Sequence, residues 1–222
     1  MTKKQIPPVR EVHAEAMERV LSVSQRLFQT YGLRTMTVDE IARHLGMSKR
    51  TLYQLFRDKN ELVRMVVKRF IEEMQAQCEL IRADARDAIH ETFRMFQYLD
   101  GIFRNLNPVV FAEMQRYHPD AFMLFDQHQQ TYIKQLIIHN LQRGIQEGNY
   151  RADLKIEVIA RFRLESGLLP LRQDIFPKDQ FPLHEVQHEL MLHYLYGIST
   201  IKGHQLIQQY QQQFGEQSNN ML

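Results

Sequence analysis

The sequence predicts an all-α fold, and three observations predict it. Apolar residues recur at three- and four-residue steps along most of the chain, and no segment keeps a strong two-residue alternation. Capping-type start signals precede several of these stripes. Only 9 Gly and 7 Pro stand among 222 residues, too few for the turn-dense path of a sandwich or barrel.

Composition bounds the rest. The length suits one large domain or two smaller ones, with a core that buries roughly 70% of the unfolded surface. The one cysteine, Cys78, excludes an intrachain disulfide and a cysteine-built metal site. The opening MTKKQIPPVREVHAE has no apolar stretch, so no signal peptide is expected. No apolar run reaches the ~18 residues of a membrane span, so no membrane partner is expected and the expected location is cytoplasmic. Charge is uneven. Residues 1–70 carry 14 Lys and Arg against 7 Asp and Glu, a net +7, and the other 152 carry 14 against 19, a net −5. A basic third on a mildly acidic remainder fits a polyanion-binding module attached to something else.

Residues 1–9 read as a polar, flexible arm. A first helix from about Arg10 to Tyr31 places Val12, Ala16, Val20, Val23 and Leu27 on one face, with Gly32 as its left-handed cap. Thr37-Val-Asp-Glu40 is a capping box for a short helix ending at Gly46. Ser48 caps a second short helix, Lys49 to Arg57. Asp58-Lys-Asn-Glu61 is another capping box, opening a long helix to about residue 82. Ala83–Asn105 is helical. Asn107-Pro108 and His118-Pro119 open two further helices, the second running to about Glu147. Gly148-Asn149 is a turn, and Asp153 is placed to cap Leu154–Leu169. Residues 170–182, with three prolines, read as a loop or lid. Leu183–Ile198 and Lys202–Phe214 are the last helices, and 215–222 are a tail.

Residues 37–56 carry the chemistry. Two short helices joined by Gly46-Met47-Ser48 form a helix-turn-helix unit. On a helical wheel Leu52, Leu55 and Phe56 share one side of the second helix. Arg50, Gln54 and Arg57 point the other way, flanked by Thr51 and Tyr53. That outer face suits a DNA major groove, because Arg can donate two bonds to guanine and Gln can pair with adenine. Tyr and Thr hydroxyls suit phosphate oxygens. Lys59 adds a cation and a free N–H at a positive helix end.

Residues 20–66 resemble the DNA-binding domain of the tetracycline-repressor (TetR) family. The resemblance rests on the LF…YG end of the first helix, T-V-x-x-I-A, the G-x-S-K-x-T-L-Y-x-x-F run, and the K-x-x-L start of the next helix. It departs from the family at Arg50, where a small residue is common, and at Gln54-Leu55, where His or Asn and then an aromatic are usual. The resemblance implies a homodimer that sets one recognition helix per subunit into a palindromic operator in double-stranded DNA. It implies repression relieved by a small-molecule effector in a C-terminal helical domain. By motif position it assigns Thr37, Ser48, Thr51, Tyr53 and Lys59 to phosphate contacts or caps, and Lys49, Arg50 and Gln54 to bases. The expected division is an arm 1–9, a helix-turn-helix domain 10–57, a connecting helix 58–82, a ligand-binding and dimerisation domain 83–214, and a tail 215–222.

Residues 93–132 are dense in Met and aromatic side chains, which line adaptable apolar sites. With the resemblance, they make Tyr98, Phe103, Tyr117, Phe125 and Tyr132 candidate effector contacts. Arg94, Glu113, Arg116, His128 and Arg161 are the candidate polar ones. An anionic group on the effector would meet Arg94, Arg116 or Arg161. The apolar content of 154–169 and 183–198, including Val158, Phe162, Val186, Met191, Tyr194 and Leu195, predicts a dimer interface there. His184-Glu-Val-Gln-His188 satisfies H-E-x-x-H, the alternative of a zinc hydrolase. The metzincin extension fails at Met191 and Tyr194, so no catalytic residue, metal or cofactor is assigned. A helical adaptor that binds protein is the other alternative.

Overall fold

The computed structural model describes the backbone of residues 9–219 and the side chains of residues 13–214. The described residues form eleven α-helices: α1 (Val9–Tyr31), α2 (Val38–Leu45), α3 (Lys49–Leu52), α4 (Lys59–Asp84), α5 (Ala88–Phe103), α6 (Val109–Tyr117), α7 (Pro119–His128), α8 (Lys134–Gln146), α9 (Ile156–Leu168), α10 (Leu183–Ile198) and α11 (Ile201–Asn219). A π-helical turn, Gln129–Ile133, joins α7 to α8, and a 3₁₀ turn, Leu169–Leu171, follows α9. Among the described residues no strand forms; Tyr150 and Ser199 make an isolated antiparallel bridge.

Several boundaries differ from the sequence reading, each for a physical reason. The helix expected at Lys49–Arg57 is α-helical only to Leu52. Beyond it, Gln54 and Leu55 donate to Thr51 and Leu52, three residues back, so the last turn tightens. The segment after α4 re-enters helix at Ala88 because Asp87 caps there, its Oδ1 accepting from Ile89 N and His90 N at 2.9 and 2.8 Å. Asp153 caps nothing. It pairs with Arg151 at 3.5 Å, and α9 starts after Lys155 without a side-chain cap. The last helix continues past Phe214. The expected arm lies outside the described residues except for Val9, and so do the tail's side chains.

The chain divides into two compact units. The first comprises the residues up to Glu72 together with Val109–Phe125. The sequence predicts one domain over 83–214; in the structure 109–125 pack with the N-terminal residues instead. Its core holds Val20 and Phe28 of α1, Ile41 and Leu45 of α2, Leu52 of α3, Leu62 and Val63 of α4, and Met114 of α6. The second comprises Glu73–Pro108 and the residues from Asp126 onward. Its core gathers Ile89 and Phe93, Leu141, Tyr150, Ala160, Met191, Leu195 and Ile207.

Tyr150 organises the second unit. Its ring is 1% exposed, and its hydroxyl lies 3.2 Å from both the Ala88 carbonyl and Asn140 Oδ1. Gly144 faces that ring so closely that a Cβ there would sit 2.0 Å from it. Arg143 joins α5 to α8, bonding Glu91, Glu147 and the Ala85 carbonyl.

Candidate nucleic-acid interface

The first unit builds the helix-turn-helix from local rules. Thr37 Oγ1 accepts from Glu40 N at 3.2 Å, and Glu40 Oε2 accepts from Thr37 N at 2.7 Å and from the Thr37 hydroxyl at 2.8 Å. This is the reciprocal box the sequence predicts. Its hydrogen bonds from Thr37 hold the Glu40 carboxyl below the ordinary carboxylate value. Gly46 ends α2 at φ +65°, a backbone conformation that costs most side chains energy. Met47 N then reaches back to the Ala42 carbonyl at 3.0 Å. Ser48 Oγ accepts from Thr51 N at 3.0 Å, and the two hydroxyls lie 2.7 Å apart. Two successive helix starts are therefore capped by the side chains that precede them.

Packing then fixes which side of α3 faces out. Leu52 is fully buried and Phe56 nearly so, both in the core that α1 and α2 supply. Arg19 Nη2 donates to the Leu45 carbonyl at 3.1 Å, tying α1 to the end of α2. Lys49, Arg50, Thr51, Tyr53, Gln54 and Arg57 are exposed together. Arg50 and Gln54 have no side-chain partner among the described residues. Tyr53 leans its ring on Phe56, centroids 6.1 Å apart. Lys49 pairs with Asp39 at 2.9 Å, but both are exposed, so the pair is weak and easily exchanged for another anion. Arg57 lies 3.6 Å from Asp58 and is 83% exposed.

Lys59 sits differently from the expectation. Its ammonium donates to the Leu33 carbonyl, and partial burial lowers its pKa against the opposing pull of Glu113 and Glu40. Its side chain holds the α1–α2 loop. At the start of α4, Asp58 Oδ1 accepts from Glu61 N at 2.9 Å as predicted. Glu61 reaches one residue further back than a capping box requires, to Arg57 N at 2.6 Å. Arg43 is exposed in the last turn of α2 and adds a cation to this unit.

The candidate effector contacts are divided between the two units. Glu113, Arg116, Tyr117 and Phe125 belong to the first unit and the others to the second. Glu113 Oε2 accepts from Arg34 N at 2.9 Å, Arg116 lies over the exposed Tyr117 ring, and Phe125 packs on Phe111. Arg94 is bound to Asp84 at 2.6 Å, and Arg161 stands exposed beside Glu157. Phe103 is half-buried near the end of α5. Tyr98, His128 and Tyr132 lie in the same unit as the buried Cys78, whose thiol burial pushes up to about 12. Of the H-E-x-x-H pair, His188 packs edge-on against Phe96. No cluster of three or more His, Cys, Asp or Glu side chains suited to a metal occurs among the described residues.

Of the helices expected to form a dimer face, α10 buries Val186, Met191, Tyr194 and Leu195 within its own chain. On α9, Val158 and Phe162, one turn apart, stay 59% and 50% exposed. No helix among the described residues is long and apolar enough to cross a membrane.

Comparison with known proteins follows this geometry. Residues 20–66 match the family described as "Bacterial regulatory proteins, tetR family". The chain is 32% identical over 110 residues to the uncharacterised HTH-type transcriptional regulator YvaF of Bacillus subtilis, an alignment covering 49% of this chain and 57% of that protein. It is 27% identical over 163 residues to the HTH-type transcriptional repressor KstR2 of Mycobacterium tuberculosis, covering 69% and 78% of the two chains. The solved structure of the latter, a ketosteroid transcriptional regulator, superposes with a TM-score of 0.61 at 22% identity over 83% of this chain and 95% of that one. A TetR-family regulator from Agrobacterium tumefaciens reaches 0.70 at 14% identity, over 85% and 100%.

Proposed function

The chain belongs to the tetR family of bacterial regulatory proteins, and from that premise we propose that it is a DNA-binding transcriptional regulator and not an enzyme. One observation carries the reading: α3 is anchored by the buried Leu52 and Phe56 while Arg50 and Gln54 stand exposed and uncommitted, with the exposed Tyr53 beside them. Lys49, Arg50 and Gln54 read base edges in a major groove, and Thr51, Tyr53 and Arg57 hold phosphates. Thr37, Ser48 and Lys59 act by position, because their polar atoms already cap or tie the motif.

The protein acts as a homodimer on a palindromic operator, with half-sites about 34–36 Å apart. Val158 and Phe162 on α9 support a dimer face there. A small, largely apolar effector bound in the second unit releases DNA by favouring a dimer whose recognition helices no longer match that spacing. The relative named a ketosteroid regulator supports an apolar effector. The test is selection of binding sites from random duplexes with the full-length protein. A palindrome should be enriched, and Tyr53→Ala should lose it while keeping the helical content and cooperative melting of the parent. Enrichment of no duplex overturns the reading.

A further inference from the structure

We propose that His128 is the polar anchor of the effector site, and that the ligand it takes is an uncharged, largely apolar molecule bearing a ketone or hydroxyl oxygen. This rests on the reading of the second unit as the effector-binding part.

Two observations meet at this residue. His128 is the last residue of α7, immediately before the π turn Gln129–Ile133. A π turn inserts one residue into a helix at some cost, and such insertions recur at functional sites. His128 is only 6% exposed, yet among the described residues neither Nδ1 nor Nε2 has a hydrogen-bond partner. Buried polar groups are nearly always paired, and an imidazole with both nitrogens unpaired is matched by something that brings its own donor or acceptor.

The surroundings set the chemistry of that ligand. The imidazole stacks on Tyr132, centroids 5.2 Å apart. The Tyr132 hydroxyl is already committed to Glu79 at 2.8 Å, so it leaves the imidazole as the open polar group. Cys78 and Met95, sulfurs 3.9 Å apart, add soft apolar surface in the same unit. Burial alone lowers the His128 pKa, with no charged neighbour contributing. Burial favours the neutral ring, which offers one N–H for a ligand oxygen and one bare nitrogen for a hydroxyl. An anionic head would have to bring its charge into this site or protonate the ring there, and burying such a pair is costly. Several guanidinium groups of this unit are engaged elsewhere, Arg94 with Asp84, Arg143 with Glu91 and Glu147, and Arg163 over the Tyr194 ring, and Arg82 pairs with Glu79, the carboxylate that holds the Tyr132 hydroxyl. The proposal keeps the largely apolar effector expected from the sequence and gives it a neutral oxygen in place of an anionic group.

The experiment compares 1-decanol, 2-decanone and decanoate by calorimetric titration into the full-length protein. The alcohol and ketone should bind at least tenfold tighter than the acid. His128→Phe, which keeps the stack on Tyr132, should erase that difference, and His128→Gln, which restores a donor and an acceptor, should keep it. In the parent protein the ring ¹⁵N shifts of His128 should move on saturation with 1-decanol, a readout independent of either variant. Equal or tighter binding of decanoate, a preference that survives His128→Phe, unmoved ring shifts, or binding of none of the three overturns the proposal. Binding of the parent protein to its selected duplex is measured separately. If that fails, the regulator reading falls; if it holds and the ligand preference is absent, only the anchor falls.

Discussion

The starts of α2 and α3, set beside the start of α9, show two ways in which this chain specifies a helix. Thr37 and Ser48 each cap the helix that follows, with partners three residues away. Helix α9 begins after Lys155 with no side-chain cap. It is held by what packs on it from afar: Ala160 is buried in a core shared with Tyr150, Met191 and Leu195. The first region is written in neighbouring residues. The second is written in contacts between residues distant in the chain, and single-sequence patterns do not show those.

Packing variants should break each region at its own kind of weak point. Leu52→Ala removes a fully buried side chain that joins α3 to α1 and α2. It should cost about 2–5 kcal/mol of stability by denaturant titration. A loss under ~1 kcal/mol would mean that α3 is not seated as described. In the second unit, Gly144→Ala drives a methyl into the Tyr150 ring and should cost about 1–3 kcal/mol. An unchanged midpoint would show that Tyr150 is not held against α8.

Capping variants sharpen the same contrast at smaller scale. Thr37→Ala should cost about 1 kcal/mol, because a helix start loses its acceptor. Lys155→Ala, at the corresponding position of α9, should stay within about 0.5 kcal/mol. Equal effects at the two sites would erase the distinction.

Much of the first unit was legible for this reason. The Thr37 and Ser48 caps, the Gly46 stop and the buried Leu52 and Phe56 all follow from residues within a few positions of one another. Asp153 misled because its spacing to the next stripe fits a cap, while its carboxylate pairs with Arg151. The inward turn of Lys59 depends on the Leu33 carbonyl, 26 residues away. The π turn after His128 leaves the apolar spacing nearly intact, so it reads as plain helix. The Met and aromatic content of 93–132, with the family resemblance, points to most of the candidate effector residues, and composition does not separate residues that pack with the first unit from those that pack with the second.

The smallest effect is the response to pH. Burial lowers the pKa of His118 in the first unit and of His90 and His128 in the second. The unfolded chain, near the usual 6.5, then takes up protons before the folded one does. Their contribution to stability is present above pH 6.5 and is lost as pH falls through the lower folded values. His118→Phe and His128→Phe should each flatten part of this decline in melting temperature between pH 7 and 5. A decline that steepens in either variant contradicts the assignment.

The most direct test of the central claim is the affinity of the parent protein and Arg50→Ala for the selected palindrome and for its single-base variants, read by fluorescence anisotropy at fixed salt. The account predicts that Arg50→Ala weakens binding by about 1–3 kcal/mol and relaxes preference at one position of each half-site, leaving the other positions as they were. Uniform weakening across all sequences, or no loss at all, would contradict the reading of α3 as the helix that reads DNA.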